Sequence, residues 1–233
     1  MTTSDRIKID RKSLREPDEF QHLTTQAGTW LRANQGLVTG IVVGLVAVAL
    51  IGIGVGWYRA RQDEAAAVGF QTAHEAFAAG KFADAADGFA SLGRDYPSTP
   101  FGKLASLYRG HALERQGDAK GAVTAYQEYL AGTPRTDYLR QEALLGLARS
   151  EEASGDAAAA GERFAEAAEM PGPFRTEAKL AQARLAEGAG KPEQARDIYV
   201  ALLAEAQPGT PLRAFLQSKM PAAVASGEAQ PAK

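Results

Sequence analysis

Four stretches of this 233-residue chain share one register. They are "GKFADAADGFASLGRDYP", "GDAKGAVTAYQEYLAGTP", "GDAAAAGERFAEAAEMPG" and "GKPEQARDIYVALLAEAQP". Each opens on a glycine: Gly80, Gly117, Gly155 and Gly190. Five residues on stands Ala85, Ala122, Ala160 or Ala195, and nine on stands Phe89, Tyr126, Phe164 or Tyr199. A proline follows near the end, at Pro97, Pro134, Pro171 and Pro208. Successive glycines are 37, 38 and 35 residues apart. A period of this length cannot close a core within one unit, so the units must stack. The glycine permits a tight turn, the alanine lets two helices press together, and the aromatic fills the gap between neighbouring units. The proline then stops the second helix.

On these residues the chain resembles the tetratricopeptide repeat family, whose unit is helix–turn–helix. The resemblance covers roughly residues 64–209. It implies an all-α solenoid of about four units, with the extra spacing in loops such as "STPFGK" and "RTDY". The pattern departs from the family at the first helices, which lack a large aromatic, and at Lys179, where an apolar residue is usual. After the last unit, "PLRAFLQSKM" reads as a short amphipathic helix capping the exposed end. Residues 221–233 have no periodicity and read as a disordered tail.

Ahead of the repeats lies a different kind of segment. Between Arg32 and Arg59 no residue is charged, and from Leu37 to Tyr58 almost all are Leu, Ile, Val, Ala or Gly. At about 1.5 Å per residue such a helix spans the roughly 30 Å of a hydrocarbon core. It starts too late and runs too long for a cleaved signal. Trp57 and Tyr58 sit where an interfacial aromatic belt would. The expectation is therefore an all-α chain with a single N-terminal transmembrane helix over 37–58. It follows an arm over 1–36 and precedes a repeat domain over 59–220.

In the arm, Phe20, Leu23, Ala27, Trp30 and Leu31 fall at helical spacing, as in an amphipathic helix at a membrane surface. The arm carries six bases, Arg6, Lys8, Arg11, Lys12, Arg15 and Arg32, against Arg59 and Arg61 just beyond the apolar run. Counted over the whole arm, this bias puts the N-terminus in the cytoplasm and the repeats outside it, in the periplasm or its equivalent. Counted only within twenty residues of each end, it reverses. The whole arm is the better guide, because a large C-terminal domain crosses regardless of its charge. Gly40 with Gly44, and Gly52 with Gly56, form two GxxxG spacings. They either admit a partner helix or reflect the ordinary glycine content of membrane helices.

Chemistry has little to work with. The chain has no cysteine, which excludes disulfides, thiol catalysis and zinc–cysteine sites. Its net charge of -2 gives no basic surface for nucleic acid. No phosphate-binding glycine loop, HExxH or GxSxG occurs. The three histidines are scattered. The chain is expected to be non-enzymatic, with no catalytic residue, metal or cofactor.

In the family, the first helix of each unit lines a concave groove. Counting back from each turn glycine places three rows there. The first is Phe70, Leu107, Leu145 and Leu180; the second is His74, His111, Arg149 and Arg184; the third is Phe77, Glu114, Glu152 and Glu187. Arg149–Glu152 and Arg184–Glu187 also stand at the spacing of pairs along one helix. The apolar row is expected to face solvent unless a peptide, a partner segment or the chain's own arm covers it.

The whole plan is similar to the YfgM-like ancillary subunits of the bacterial Sec translocon. The likeness runs through "WLRANQGLVTGIVVG" into "GWYRARQDEAAAVGF" and returns in "ALERQGDAKGAVTAYQEYL". It implies a single-pass protein of the inner membrane that joins the translocon and its membrane-anchored chaperones. The residues equally admit an envelope or cell-division scaffold, or a transmembrane regulator that signals through its cytoplasmic arm.

Overall fold

The computed structural model describes residues 26, 28–136 and 138–220. Most of the arm before Gly28 and all of the tail read as disordered lie outside the described residues. By its contacts the chain divides between Tyr58 and Arg59 into two units.

Helix α1, Gln35–Ala78, contributes Gln35–Tyr58, just over half its length, to the first unit. From Thr39 to Arg61 every residue is exposed, Ile51 and Ile53 by 66% and 69%. Soluble monomers rarely leave so large an apolar surface uncovered. The helix is long and apolar enough to cross a membrane by length and composition.

The second unit is built from helix pairs. The end of α1 pairs with α2, Phe82–Asp95. Then α3, Pro100–Gln116, pairs with α4, Ala119–Gly132, and α5, Arg140–Ala153, with α6, Ala157–Glu169. Next α7, Arg175–Gly188, pairs with α8, Pro192–Glu205, and α9, Pro211–Ser218, closes the end. The described residues hold no strand.

The four turn glycines have φ of +76°, +88°, +95° and +71°, the left-handed region that disfavours any residue with a Cβ. Beyond two of them an aspartate starts the next helix. Asp118 accepts from the Gly121 amide and Asp156 from the Ala159 amide, each at 3.0 Å. The repeat alanines Ala85, Ala122, Ala160 and Ala195 are at most 1% exposed, and Phe89, Tyr126, Phe164 and Tyr199 at most 3%. The prolines lie just past the ends of α2, α4, α6 and α8. The "STPFGK" stretch is only partly a loop. Thr99 accepts from the Gly102 amide at 3.0 Å and α3 begins at Pro100, which suits the first helical position.

Tyr126 illustrates how the units join. Its ring lies between Gly110 of α3 and Gly146 of α5, where an added Cβ would run into it. Two glycines therefore make room for one large buried ring, which touches both its own unit and the next. Lys179, the departure from pattern, keeps its stem half-buried and carries its ammonium to Glu205 at 3.0 Å. Helix α9 buries Leu216 and, just beyond its end, Met220 against the last pair.

Candidate functional site

The inner face of the first helices divides into two ends. The N-terminal end is aromatic. Phe70 is half-buried and meets Phe101 at 5.0 Å, Tyr108 at 4.9 Å and Phe89 at 5.5 Å between ring centroids. His74 is exposed and stacks on Phe70 and Phe77. Phe77 turns its edge to Phe82, over which Arg115 lies at 5.2 Å. His111 closes this cluster, 5.6 Å from both the Tyr108 and Tyr126 rings and 3.5 Å from Glu142. Burial lowers the His111 pKa and Arg149 lowers it further, against the opposing pull of Glu142 and Glu114.

Toward the C-terminus the face is ionic. Arg149 of α5 donates through Nε to Oε1 of Glu114 on α3 at 2.7 Å, and the Tyr126 hydroxyl donates to Oε2 of the same carboxylate at 2.8 Å. Burial pushes Glu114 up, but the Arg149 hydrogen bonds and charge and the Tyr126 bond outweigh it, leaving the carboxyl below its ordinary range. Arg184 of α7 grips Glu152 of α5 with two bonds of 2.6 Å, and this holds Glu152 down against a smaller burial effect. Lys219, just past α9, reaches Glu187 of α7 at 3.1 Å. Each rung therefore joins an acid on one unit to a cation on the next. The charges expected to pair along one helix, Arg149 with Glu152 and Arg184 with Glu187, are paired across units instead.

The apolar row requires a correction. Leu107 and Leu145 are each 1% exposed, so they do not face solvent. Leu107 packs in the core of the first two units, and Leu145 in the next core with Phe164 and Ala160. From α3 onward each first helix packs against its own partner helix and against the second helix of the preceding pair, so two of its faces are buried. Phe70 and Leu180 are half-buried. The row is a seam between units rather than an open groove wall.

A hollow of about 400 Å³ does open at the ionic end. Leu180, Ala181, Phe164, Tyr199 and Phe215 supply its apolar lining, and Arg149, Arg184, Lys219, Glu177 and Glu187 its polar lining. Phe215 is 44% exposed, and Lys219 lies 6.0 Å above its ring. Of the residues anticipated for the groove, Arg149, Leu180, Arg184 and Glu187 meet here. Phe70, His74, Phe77 and His111 gather at the other end. Glu114 and Glu152 serve the rungs.

Phe215 and Lys219 were not anticipated, because α9 reads as a mere cap, and Glu177 and Tyr199 stand on α7 and α8 outside the three counted rows. A signal for one of them was present: Lys219 follows Glu187 by the same 32 residues that separate Arg184 from Glu152. Among the membrane-type glycines, a side chain at Gly40, Gly44, Gly52 or Gly56 would meet none of the described residues. At about 100° per residue the two pairs face directions roughly 120° apart.

The profile of the tetratricopeptide repeat-like domain family matches residues 29–225. Among solved structures, one similar fold is that of the nearly identical TPR-like repeats described for a kinesin light chain from Podosopora anserina. Identity is 18%, covering 70% of this chain and 87% of that one, with a TM-score of 0.54. Another is a tetratricopeptide repeat protein from Parabacteroides merdae, at 15% identity over 71% of this chain and 61% of that one, with a TM-score of 0.57. At these identities the likeness speaks for the fold alone. No curated protein matches the chain. The turn glycines, the buried alanines and aromatics, and the match over most of the length agree, and the chain belongs to the tetratricopeptide repeat-like family.

Proposed function

We propose that the chain is a membrane-anchored, non-enzymatic module whose concave face binds a segment of another protein outside the cytoplasm. The observation that carries the reading is the 400 Å³ hollow with an apolar floor at the ionic end. Its cations already hold carboxylates of the chain, so a charged ligand would have to break those rungs. An apolar side chain entering the hollow breaks nothing and covers Phe215 and Leu180. The hollow therefore favours an uncharged, apolar stretch of polypeptide.

The exposed apolar helix supplies the anchor, with residues 37–58 in the bilayer, 1–36 as the cytoplasmic arm, 59–220 as the binding domain and 221–233 as a tail. Arg59 and Arg61 against six bases in the arm favour a cytoplasmic N-terminus. The similarity of plan to the YfgM-like subunits supports a place beside the Sec translocon. An envelope or division scaffold would use the same face on another partner.

Co-purification from gently solubilised membranes tests this. Phe215→Ala combined with Ala181→Gln should lose the bound partner while melting at nearly the wild-type temperature. Translocon subunits among the lost proteins favour the translocon; division proteins favour the scaffold. A folded variant that retains every partner removes the concave hollow as the recognition site. Protease added to intact spheroplasts should digest residues beyond 59 and spare the arm, and the reverse pattern inverts the orientation.

A further inference from the structure

The first repeat has a face that every later repeat covers. Counting from the turn glycines, Gly69 and Thr72 correspond to Ser106 and Arg109, then to Leu144 and Leu147, then to Lys179 and Gln182. Ser106 and Arg109 share a seam with Ala90 and Gly93 of α2, the second helix of the preceding unit. Leu144 and Leu147 are 1% and 3% exposed in the equivalent seam, and Lys179 and Gln182 are half-buried. In the first repeat the same positions border an open hollow of about 710 Å³ between α1 and α2, with Ala76 and Gly88 on its floor. Three times the fold lays a helix on this face, and the fourth time none of the described residues does so.

The chain also shows how it finishes the opposite end. Helix α9 buries Leu216, while Arg213 donates to the Leu203 and Ala206 carbonyls at 3.1 and 2.9 Å and Lys219 pairs with Glu187. That cover is an amphipathic helix with basic flanks. The open face is suited to a similar one, since among the described residues Glu75, Asp84 and Asp95 line it against the single ammonium of Lys81. Among the described residues Asp95 meets only the exposed Arg94, at 3.3 Å, and Glu75 accepts from Gln71.

We propose that the open face of the first repeat docks one amphipathic helix of another protein, aliphatic on its buried stripe and carrying Lys or Arg on its flanks. This site is separate from the concave hollow, and its occupant would continue the stack as a preceding second helix does.

The test uses the full chain in native membranes, with p-benzoylphenylalanine at the exposed Thr72 and, as a control, at the exposed Thr124 of α4. On irradiation, Thr72 should give at least tenfold more adduct with a second protein than Thr124. Sequenced adducts should fall three or four residues apart on one segment that also holds Lys or Arg. Asp84→Lys with Asp95→Lys should cut the adduct at least tenfold, whereas Phe215→Ala should leave it unchanged. If that double variant melts early, Glu75→Lys alone carries the same arm. Adducts with lipid, with a second copy of this chain, or with an extended or acidic segment overturn the proposal. So does an adduct indifferent to charge reversal, or a yield no greater than that of the control. Loss with Phe215→Ala would also overturn the separation from the hollow, while failure of the concave reading alone leaves this result untouched.

Discussion

The aromatic and ionic ends of the inner face perform the same task by different means. At the first junction, Phe70, Phe101 and Tyr108 join two units through ring contacts, which are short-ranged, indifferent to salt and dependent on excluding water. At the later junctions, Glu114–Arg149, Glu152–Arg184 and Glu187–Lys219 join units through charge. The ionic rungs are unequal. The carboxylates are about equally exposed, Glu114 by 26% and Glu152 by 28%, but Arg149 is 40% exposed against 57% for Arg184, and Glu114 also holds the Tyr126 hydroxyl. Burial rather than distance ranks them: the shorter Glu152–Arg184 bonds are the weaker contribution to stability, because water competes for them.

The largest expected effect comes from neither end but from the seam beneath both. Leu107→Asp would place a carboxylate in the packed core and should cost at least about 4 kcal/mol, enough to unfold much of the domain. Urea unfolding followed by circular dichroism reads this directly. A wild-type midpoint would restore Leu107 to the surface and undo the division between seam and groove.

Next, Tyr126→Ala should cost about 3–5 kcal/mol, since it leaves a void between Gly110 and Gly146 and takes a donor from Glu114. Tyr126→Phe isolates the hydroxyl and should cost about 1–2 kcal/mol. Equal losses for the two would mean that the ring's packing contributes nothing at this junction.

Proton titration separates the ends further. His111 has a folded pKa below its unfolded value of about 6.5, so its contribution is complete above that pH and is lost as pH falls toward the folded value. Glu114 and Glu152 are also depressed, but from about 4.3, so their contribution survives until pH falls below that ordinary value and is lost toward their folded ones. Stability should therefore decline in two stages on acidification. His111→Gln should flatten the upper stage alone, and Glu114→Gln the lower. A single stage unaffected by His111→Gln would show that the histidine is as solvated in the fold as out of it.

The smallest effect belongs to Arg184→Ala, at less than about 1 kcal/mol and shrinking with added salt. A larger, salt-independent loss would mean that the exposed rung is as strong as the buried one.

Much of this fold was legible because the repeat residues act locally. A glycine at positive φ, an alanine where helices touch and a proline beyond a helix end each perform the same task wherever the chain carries them. The inner face was less legible for a geometric reason. Counting from Gly117 and Gly155 placed Leu107 and Leu145 on one row correctly, yet could not say that neighbouring helices would cover that row. Likewise, Arg149 and Glu152 stand three apart on one helix, but each finds a nearer partner in a neighbouring unit. Partners some thirty residues away depend on how far successive pairs rotate, and no spacing within one helix encodes that.

The rungs also have a direction. Along the ionic end, the acid sits on the earlier unit and the cation on the later one. The unit of α5 and α6 carries one of each, Arg149 facing backward and Glu152 facing forward. Were it duplicated in tandem, the first copy's Glu152 would meet the second copy's Arg149, and the outer charges would keep their present partners. The ionic end is thus a grammar that can be lengthened without leaving a charge unmatched. The aromatic end is not: the position that Arg149 holds is His74 in the first unit, stacked on Phe70 and Phe77 instead of offering a guanidinium to a unit placed before it, so growth in that direction would need a new rule.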